Sequence, residues 1–150
     1  MERSFLPGLV WRALRIPNLG IMAAFVSILL ANPAFSAKQE PVRILVLGDS
    51  LASGWGLPAH QAFPTQLEAV LRARGHKVRL INAGVAGDTT AGGKARLDWA
   101  LAEKPEIVIV ELGANDSMRG VDPKSTRANL DNILTRLKSK GVGILLAGML

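Results

Sequence analysis

Cysteine and tyrosine are both absent from this 150-residue chain, and aromatic residues make up only 5% of it. Without cysteine, the chain has no disulfide, no thiolate metal site and no cysteine nucleophile. Its 18 basic residues exceed its 12 acidic ones, but they form no long run and do not alternate with aromatic residues. We therefore expect no nucleic-acid partner and interpret the net charge of +6 as a mildly basic surface.

The main apolar run, residues 21–31 (IMAAFVSILLA), is short. It follows a segment with three arginines and ends before Asn32-Pro33 and a stretch of small residues. A membrane-spanning helix needs about 20 apolar residues, whereas a basic region, a short apolar run and small residues are typical of a signal peptide. We predict that residues 1–37 are a signal peptide cleaved after Ser36, or an inner-membrane anchor if uncleaved. A periplasmic or secreted protein is the corresponding expectation.

The remaining residues, 38–150, have the length of one domain. Short runs rich in valine and isoleucine predict buried parallel strands at 42–47, 78–82, 107–112 and 144–150. Helical patterns lie between them, at 63–74, at 91–101 and from Pro123 to Gly141. Their apolar faces are expected to include Val70 and Trp99. This alternation predicts an α/β sandwich with a parallel sheet.

The turns that leave the first three predicted strands contain Ser50, Gly87 and Asn115. If the strand order is 2-1-3, these turns lie side by side at the carboxyl edge of the sheet, where ligands bind in open α/β folds. A serine nucleophile needs donors that hold the oxyanion of its tetrahedral intermediate. The backbone N–H groups of Ser50 and Gly87 and the side-chain amide of Asn115 are candidate donors.

The segments VLGDSLASGWGL, NAGVAGDTTAGG and ELGANDSMRG resemble the first three conserved blocks of SGNH (GDSL-type) hydrolases. The resemblance is closest to the bacterial acyl-CoA thioesterase I, lysophospholipase L1 and arylesterase group. It implies a three-layer, flavodoxin-like sandwich, Ser50 as nucleophile, and Gly87 and Asn115 as oxyanion-hole residues. It implies no metal or organic cofactor, and Asp49 in a structural role.

The same family carries an Asp-x-x-His motif late in the domain, and this chain has no counterpart to it. Its two histidines, His60 and His76, lie in no such pattern. We expect both to be loop or surface residues, with His60 on the active edge and His76 on the opposite one. Residues 38–150 are accordingly interpreted as the N-terminal two thirds of the domain, incomplete at the C-terminus.

Simpler interpretations stand beside these assignments. Ser50 and Asn115 could be turn residues. Trp55 and Leu57 could line an acyl pocket or pack under their loop. The carboxylates of Asp49, Asp88 and Asp116 could form a metal cluster, although we expect Asp88 and Asp116 to hold their turns by bonds to the backbone. Glu111 is expected at most to join a buried polar network.

Three functions follow from these patterns. The first is a serine esterase or thioesterase acting on lysophospholipids, aryl or short-chain esters, or acyl thioesters, with membrane contact only through the signal peptide or a lipid substrate. The second is a catalytically incomplete chain that at most binds such molecules and tends to aggregate. The third is a phosphate-binding module, for which no glycine-rich nucleotide motif is present. The sequence indicates no oligomeric state.

Overall fold

Four parallel strands form the centre of the fold in the order β2-β1-β3-β4. The computed structural model describes residues 40–148, so the predicted signal peptide lies outside the described part of the chain. The predicted parallel sheet and the assumed 2-1-3 order are confirmed. The strands are β1 (Val42–Gly48), β2 (Val78–Gly84), β3 (Ile107–Glu111) and β4 (Gly143–Leu146).

Helices connect the strands and lie on both faces of the sheet. They are α1 (Ser50–Ser53), α2 (Phe63–Ala73), α3 (Thr90–Ala95), α4 (Leu97–Leu101), α5 (Ala114–Met118) and α6 (Pro123–Ser139), with a short 3-10 helix at Ala59–Gln61. The helix α6 begins as predicted, with the Asp122 side chain capping it and Pro123 in its first turn. Within residues 40–148, no helix is both long and apolar enough to cross a membrane.

The core has two parts because successive side chains of β1 point to opposite faces of the sheet. Leu45 and Leu47 join a cluster with residues of β3, α4 and α6. Ile44 and Val46 join a second cluster, against which side chains of α2 pack. The result is the predicted three-layer sandwich, and it leaves the carboxyl ends of β1, β2 and β3 at one edge.

Three expectations about the helices were wrong. The segment 91–101 forms two short helices that meet at Arg96, whose φ of −96° and ψ of 4° interrupt the first of them. Trp99 is 73% exposed, because Leu97 and Ala100 occupy the buried face of α4. Val70 is 47% exposed, because the packed stripe of α2 consists of Leu67 and Leu71, four residues apart.

Candidate active site

The loops after β1, β2 and β3 lie together at the carboxyl edge of the sheet, as the strand order requires. The β1 and β2 loops are joined directly, because the backbone N–H of Val85 donates to the carbonyl of Gly48 at 3.0 Å. Glycine is needed at the ends of β1 and β2. A methyl group on Gly48 would meet Ala52 and Glu111, and one on Gly84 would meet the backbone of Ser53.

Ser50 is the first residue of α1 and follows the strand β1 after a single residue. That residue is the buried Asp49, which caps the helix by accepting a hydrogen bond from Leu51 N–H at 2.9 Å. A sharp turn between a strand and a helix presents the Ser50 side chain at the sheet edge. Within residues 40–148, the Ser50 hydroxyl forms no hydrogen bond.

Among the backbone N–H groups at this edge that have no acceptor in the described part of the chain are those of Ser50 and Gly87. Asp88 N–H, by contrast, donates to the Val85 carbonyl at 3.0 Å, and Thr89 N–H donates to the Asp88 carboxylate at 3.0 Å. Gly87 has a φ of 77°, a left-handed conformation that favours glycine. Two unpaired donors of this kind are what an oxyanion site requires.

Asn115 lies between these two loops, buried at the start of α5. Its side-chain nitrogen donates to Asp49 Oδ2 at 3.0 Å and to the Asp88 backbone carbonyl at 2.9 Å. Both partners accept hydrogen bonds only, so both N–H groups of the amide are occupied. The structure therefore brings Asn115 to the site as a bridge between the loops. To donate to an oxyanion, it would have to release or share one of these bonds.

No histidine among residues 40–148 forms a hydrogen bond with the Ser50 hydroxyl. His60 is exposed in the 3-10 helix, where its carbonyl accepts a hydrogen bond from Gln66 Nε2 at 2.6 Å. His76 is exposed just before β2, at the opposite edge of the sheet. Both positions agree with the expectation that these are loop or surface residues.

The aspartates of the three loops accept hydrogen bonds from nearby backbone N–H groups. Asp88 accepts from Thr89 N–H and pairs with Arg96 at 2.7 Å. Asp116 is buried and accepts from the backbone N–H of Thr90 at 2.8 Å. In the described residues, no group of three histidine, cysteine, aspartate or glutamate side chains could hold a metal ion.

Asp116 ties α5 to α3 and α6. Besides Thr90 N–H, its carboxylate accepts from the Thr90 hydroxyl at 2.5 Å and the Thr126 hydroxyl at 3.3 Å. We expect Asp116→Asn to lower the free energy of unfolding by about 1–2 kcal/mol, because the amide nitrogen would replace an acceptor that faces buried donors. Urea unfolding followed by circular dichroism measures this.

Asp131→Asn is the matched control, since Asp131 is exposed on α6 and its nearest cation, Arg127, is 3.9 Å away. Its change should stay within about 0.5 kcal/mol. Equal stability of the two variants would contradict the structural role assigned to Asp116.

Glu111, to which the sequence assigned no chemistry, is half-buried at the end of β3. Burial raises the pKa of its carboxyl above the ordinary value of 4.5, and the negative charge of Asp49 raises it further. Hydrogen bonds from the backbone N–H groups of Asp49 and Ala52 act in the opposite direction. Glu111 thus supports both sides of Ser50 from the neighbouring strand.

This raised pKa predicts a pH-dependent effect of Glu111→Gln. Folding favours the protonated carboxyl, so the stability contributed by Glu111 is present below pH 4.5 and is lost as the pH rises through the pKa of the folded state. Relative to the original chain, the glutamine variant should therefore gain stability between pH 4 and pH 7. Urea unfolding at pH 4 and at pH 7 checks this prediction, with Glu103→Gln, at an exposed residue, as control. If Glu111→Gln lost stability relative to the original chain as the pH rose, the prediction would be wrong.

An apolar cavity of about 470 Å³ adjoins α1. Its lining residues include Leu51, Phe63, Leu112 and Glu111. Trp55 and Leu57 are not among them; these two residues are 76% and 54% exposed. The cavity beside α1 is therefore lined by residues other than the two that the sequence suggested for an acyl pocket, because its walls depend on how α2 packs beside α1.

The fold is a parallel α/β sandwich with a serine at the turn between its first strand and a short helix. The profile of the "GDSL-like Lipase/Acylhydrolase family" matches residues 46–150. The chain belongs to this family.

Characterised relatives are esterases and thioesterases. The chain is 36% identical to an arylesterase of Vibrio mimicus over 126 residues, which is 83% of this chain and 63% of the relative. It is 40% identical to esterase TesA of Pseudomonas aeruginosa over 128 residues, which is 85% of this chain and 64% of the relative. The chain thus spans less than two thirds of the length of these relatives.

Solved structures agree with this assignment. The crystal structure of AlinE4, an SGNH-hydrolase family esterase, superposes with a TM-score of 0.71 at 48% identity, covering 73% of this chain and 60% of that one. The crystal structure of TesA gives a TM-score of 0.69 at 40% identity, covering 71% of this chain and 60% of that one.

Proposed function

We propose that the protein is a serine ester or thioester hydrolase with Ser50 as its nucleophile. The observation that carries the proposal is that the backbone N–H groups of Ser50 and Gly87, in two loops joined at the sheet edge by the hydrogen bond from Val85 to Gly48, have no acceptor in the described part of the chain. Family membership and the esterase relatives support it. Substrates would be lysophospholipids, aryl or short-chain esters, or acyl thioesters.

In the proposed reaction, the Ser50 oxygen attacks the acyl carbonyl carbon while a base takes the hydroxyl proton. The carbonyl oxygen becomes the oxyanion and accepts hydrogen bonds from the N–H groups of Ser50 and Gly87. Collapse of the intermediate breaks the ester or thioester bond, and the leaving alcohol or thiol takes up the proton. Water then attacks the acyl-enzyme in the same way and releases the acid.

The base is assigned to a histidine outside residues 40–148, as the family resemblance implies. Among the described residues, the Ser50 hydroxyl has no hydrogen-bonded partner, which supports this assignment. It also supports the second candidate, in which the 150 residues alone bind an acyl ester but do not turn it over. Reading the coding sequence beyond Leu150 for a late Asp-x-x-His distinguishes these two cases.

Covalent labelling tests the nucleophile directly. The full-length protein is incubated with a fluorophosphonate, which forms a bond to an activated serine, and the labelled peptide is identified by mass spectrometry. We expect one adduct, on Ser50, formed in parallel with loss of 4-nitrophenyl butyrate hydrolysis. Loss of hydrolysis with the adduct on another serine would overturn the proposal.

We also propose export to the periplasm, or secretion, by way of residues 1–37. The basic segment, the short apolar run and the small residues before Ala37 support it. Amino-terminal sequencing of the protein from a periplasmic extract should begin at Ala37. An intact N-terminus in the membrane fraction would indicate the anchor instead.

A further inference from the structure

Arg96 lies at the junction of α3 and α4 and extends its side chain under the candidate site, where it is 18% exposed. Its guanidinium makes three contacts. Nε pairs with Asp88 Oδ2 at 2.7 Å, Nη1 donates to the Ala83 carbonyl at 2.7 Å, and Nη2 donates to the Gly48 carbonyl at 3.0 Å.

These three acceptors lie in or next to the two loops that contain Ser50 and Gly87. Gly48 lies two residues before Ser50, while Ala83 and Asp88 lie on either side of Gly87. One planar, rigid group thus connects the end of β1 to the start and the end of the Gly87 loop. The connection extends to Asn115, whose amide donates to the Asp88 carbonyl at 2.9 Å.

We propose that Arg96 is a positioning residue that fixes the separation and direction of the Ser50 and Gly87 N–H groups. This inference rests on the proposed function. An oxyanion site acts by being preorganised, and a displacement of about 1 Å at a catalytic group costs about 10²-fold in rate. Arg96 touches neither nucleophile nor substrate, so its effect would pass through the two loops.

Arg96→Lys tests the assignment, because lysine keeps the positive charge beside Asp88 but cannot form the three-way fork. In the full-length protein, we expect kcat for 4-nitrophenyl butyrate to fall about 10- to 100-fold with KM changed less than about threefold. Inhibition by an alkyl boronic acid, which forms a tetrahedral adduct on serine, should weaken in parallel with kcat.

Arg136→Lys is the matched control. Arg136 also joins a carboxylate to a backbone carbonyl, at 2.6 Å from Asp98 and 3.1 Å from the Lys94 carbonyl, but it contacts neither loop. Its variant should keep kcat and boronate affinity within about twofold. A purely structural role for Arg96 would lower the melting temperature while leaving kcat per folded molecule and boronate affinity unchanged, and that result would overturn the inference.

If Arg96→Lys does not fold, Asp88→Asn answers the same question. It removes the ion pair but leaves the contacts of Arg96 with Gly48 and Ala83, so a smaller fall in kcat in the same direction is expected. Unchanged kcat and boronate affinity in Asp88→Asn would overturn the inference.

The Ser50→Ala variant distinguishes failure of this inference from failure of the proposed function. Full activity in Ser50→Ala would overturn the proposed function, whereas inactive Ser50→Ala with fully active Arg96→Lys would overturn the role of Arg96 alone.

Discussion

Ser50→Ala is expected to lower kcat of the full-length protein by about 10⁴- to 10⁶-fold while leaving its fold intact. Alanine removes the only atom that would form the acyl-enzyme. The side chain makes no hydrogen bond within residues 40–148 that the fold would lose. Hydrolysis of 4-nitrophenyl butyrate, measured with circular dichroism and a thermal melt on the same preparations, checks both halves of the prediction.

Ser117→Ala is the control for Ser50→Ala, because Ser117 is an exposed serine in α5 at the same edge of the sheet. Its kcat should remain within about twofold of the original value. If Ser50→Ala retained more than a tenth of the original kcat, Ser50 would not be the nucleophile. Ser117→Ala losing as much as Ser50→Ala would point to a general disturbance of this edge.

The positions of Ser50, Gly87 and Asn115 could be predicted because they depend on strand order and strand direction alone. Short runs rich in valine and isoleucine identify the parallel strands, and the carboxyl ends of neighbouring parallel strands meet at one edge. The prediction that the three loops lie together required no knowledge of side-chain positions. The N-terminus of α6 could also be predicted from the sequence, since Asp122 followed by Pro123 is a local capping signal.

What the sequence could not predict depends on contacts between segments distant in the chain. The amide of Asn115 appears from its type to be a free donor, yet Asp49 and Asp88 occupy it across separations of 66 and 27 residues. Arg96 lies within a weak helical pattern and contacts Gly48 across 48 residues. The prediction that Trp99 lies on a packed helix face was wrong for a local reason. The helix breaks at Arg96, and in the short α4 that follows, Leu97 and Ala100 occupy the buried face.

Because β2 approaches α1 closely, we expect a second large effect on stability and on kcat from Gly84→Ala. A methyl group on Gly84 would overlap the backbone N of Ser53 and lie 2.7 Å from Ser53 Cα and 2.8 Å from the Ala52 carbonyl carbon. These are backbone atoms, so α1 or the end of β2 would have to move as a unit. Asn82 resists that movement, since its side chain donates to the Ser53 carbonyl at 3.2 Å.

We expect Gly84→Ala to lower the free energy of unfolding by about 3 kcal/mol and kcat by about 10²-fold, because Ser50 begins the helix that is displaced. Gly143→Ala is the control: its methyl group would lie 3.4 Å from the Glu106 carbonyl and Ile107 Cγ1, an ordinary contact. That variant should be neutral or more stable by up to about 1 kcal/mol. Urea unfolding measures the stability of the two variants, and ester hydrolysis measures their kcat. If both variants gave the same stability and the same kcat, α1 would not be packed against β2 as closely as Gly84 indicates.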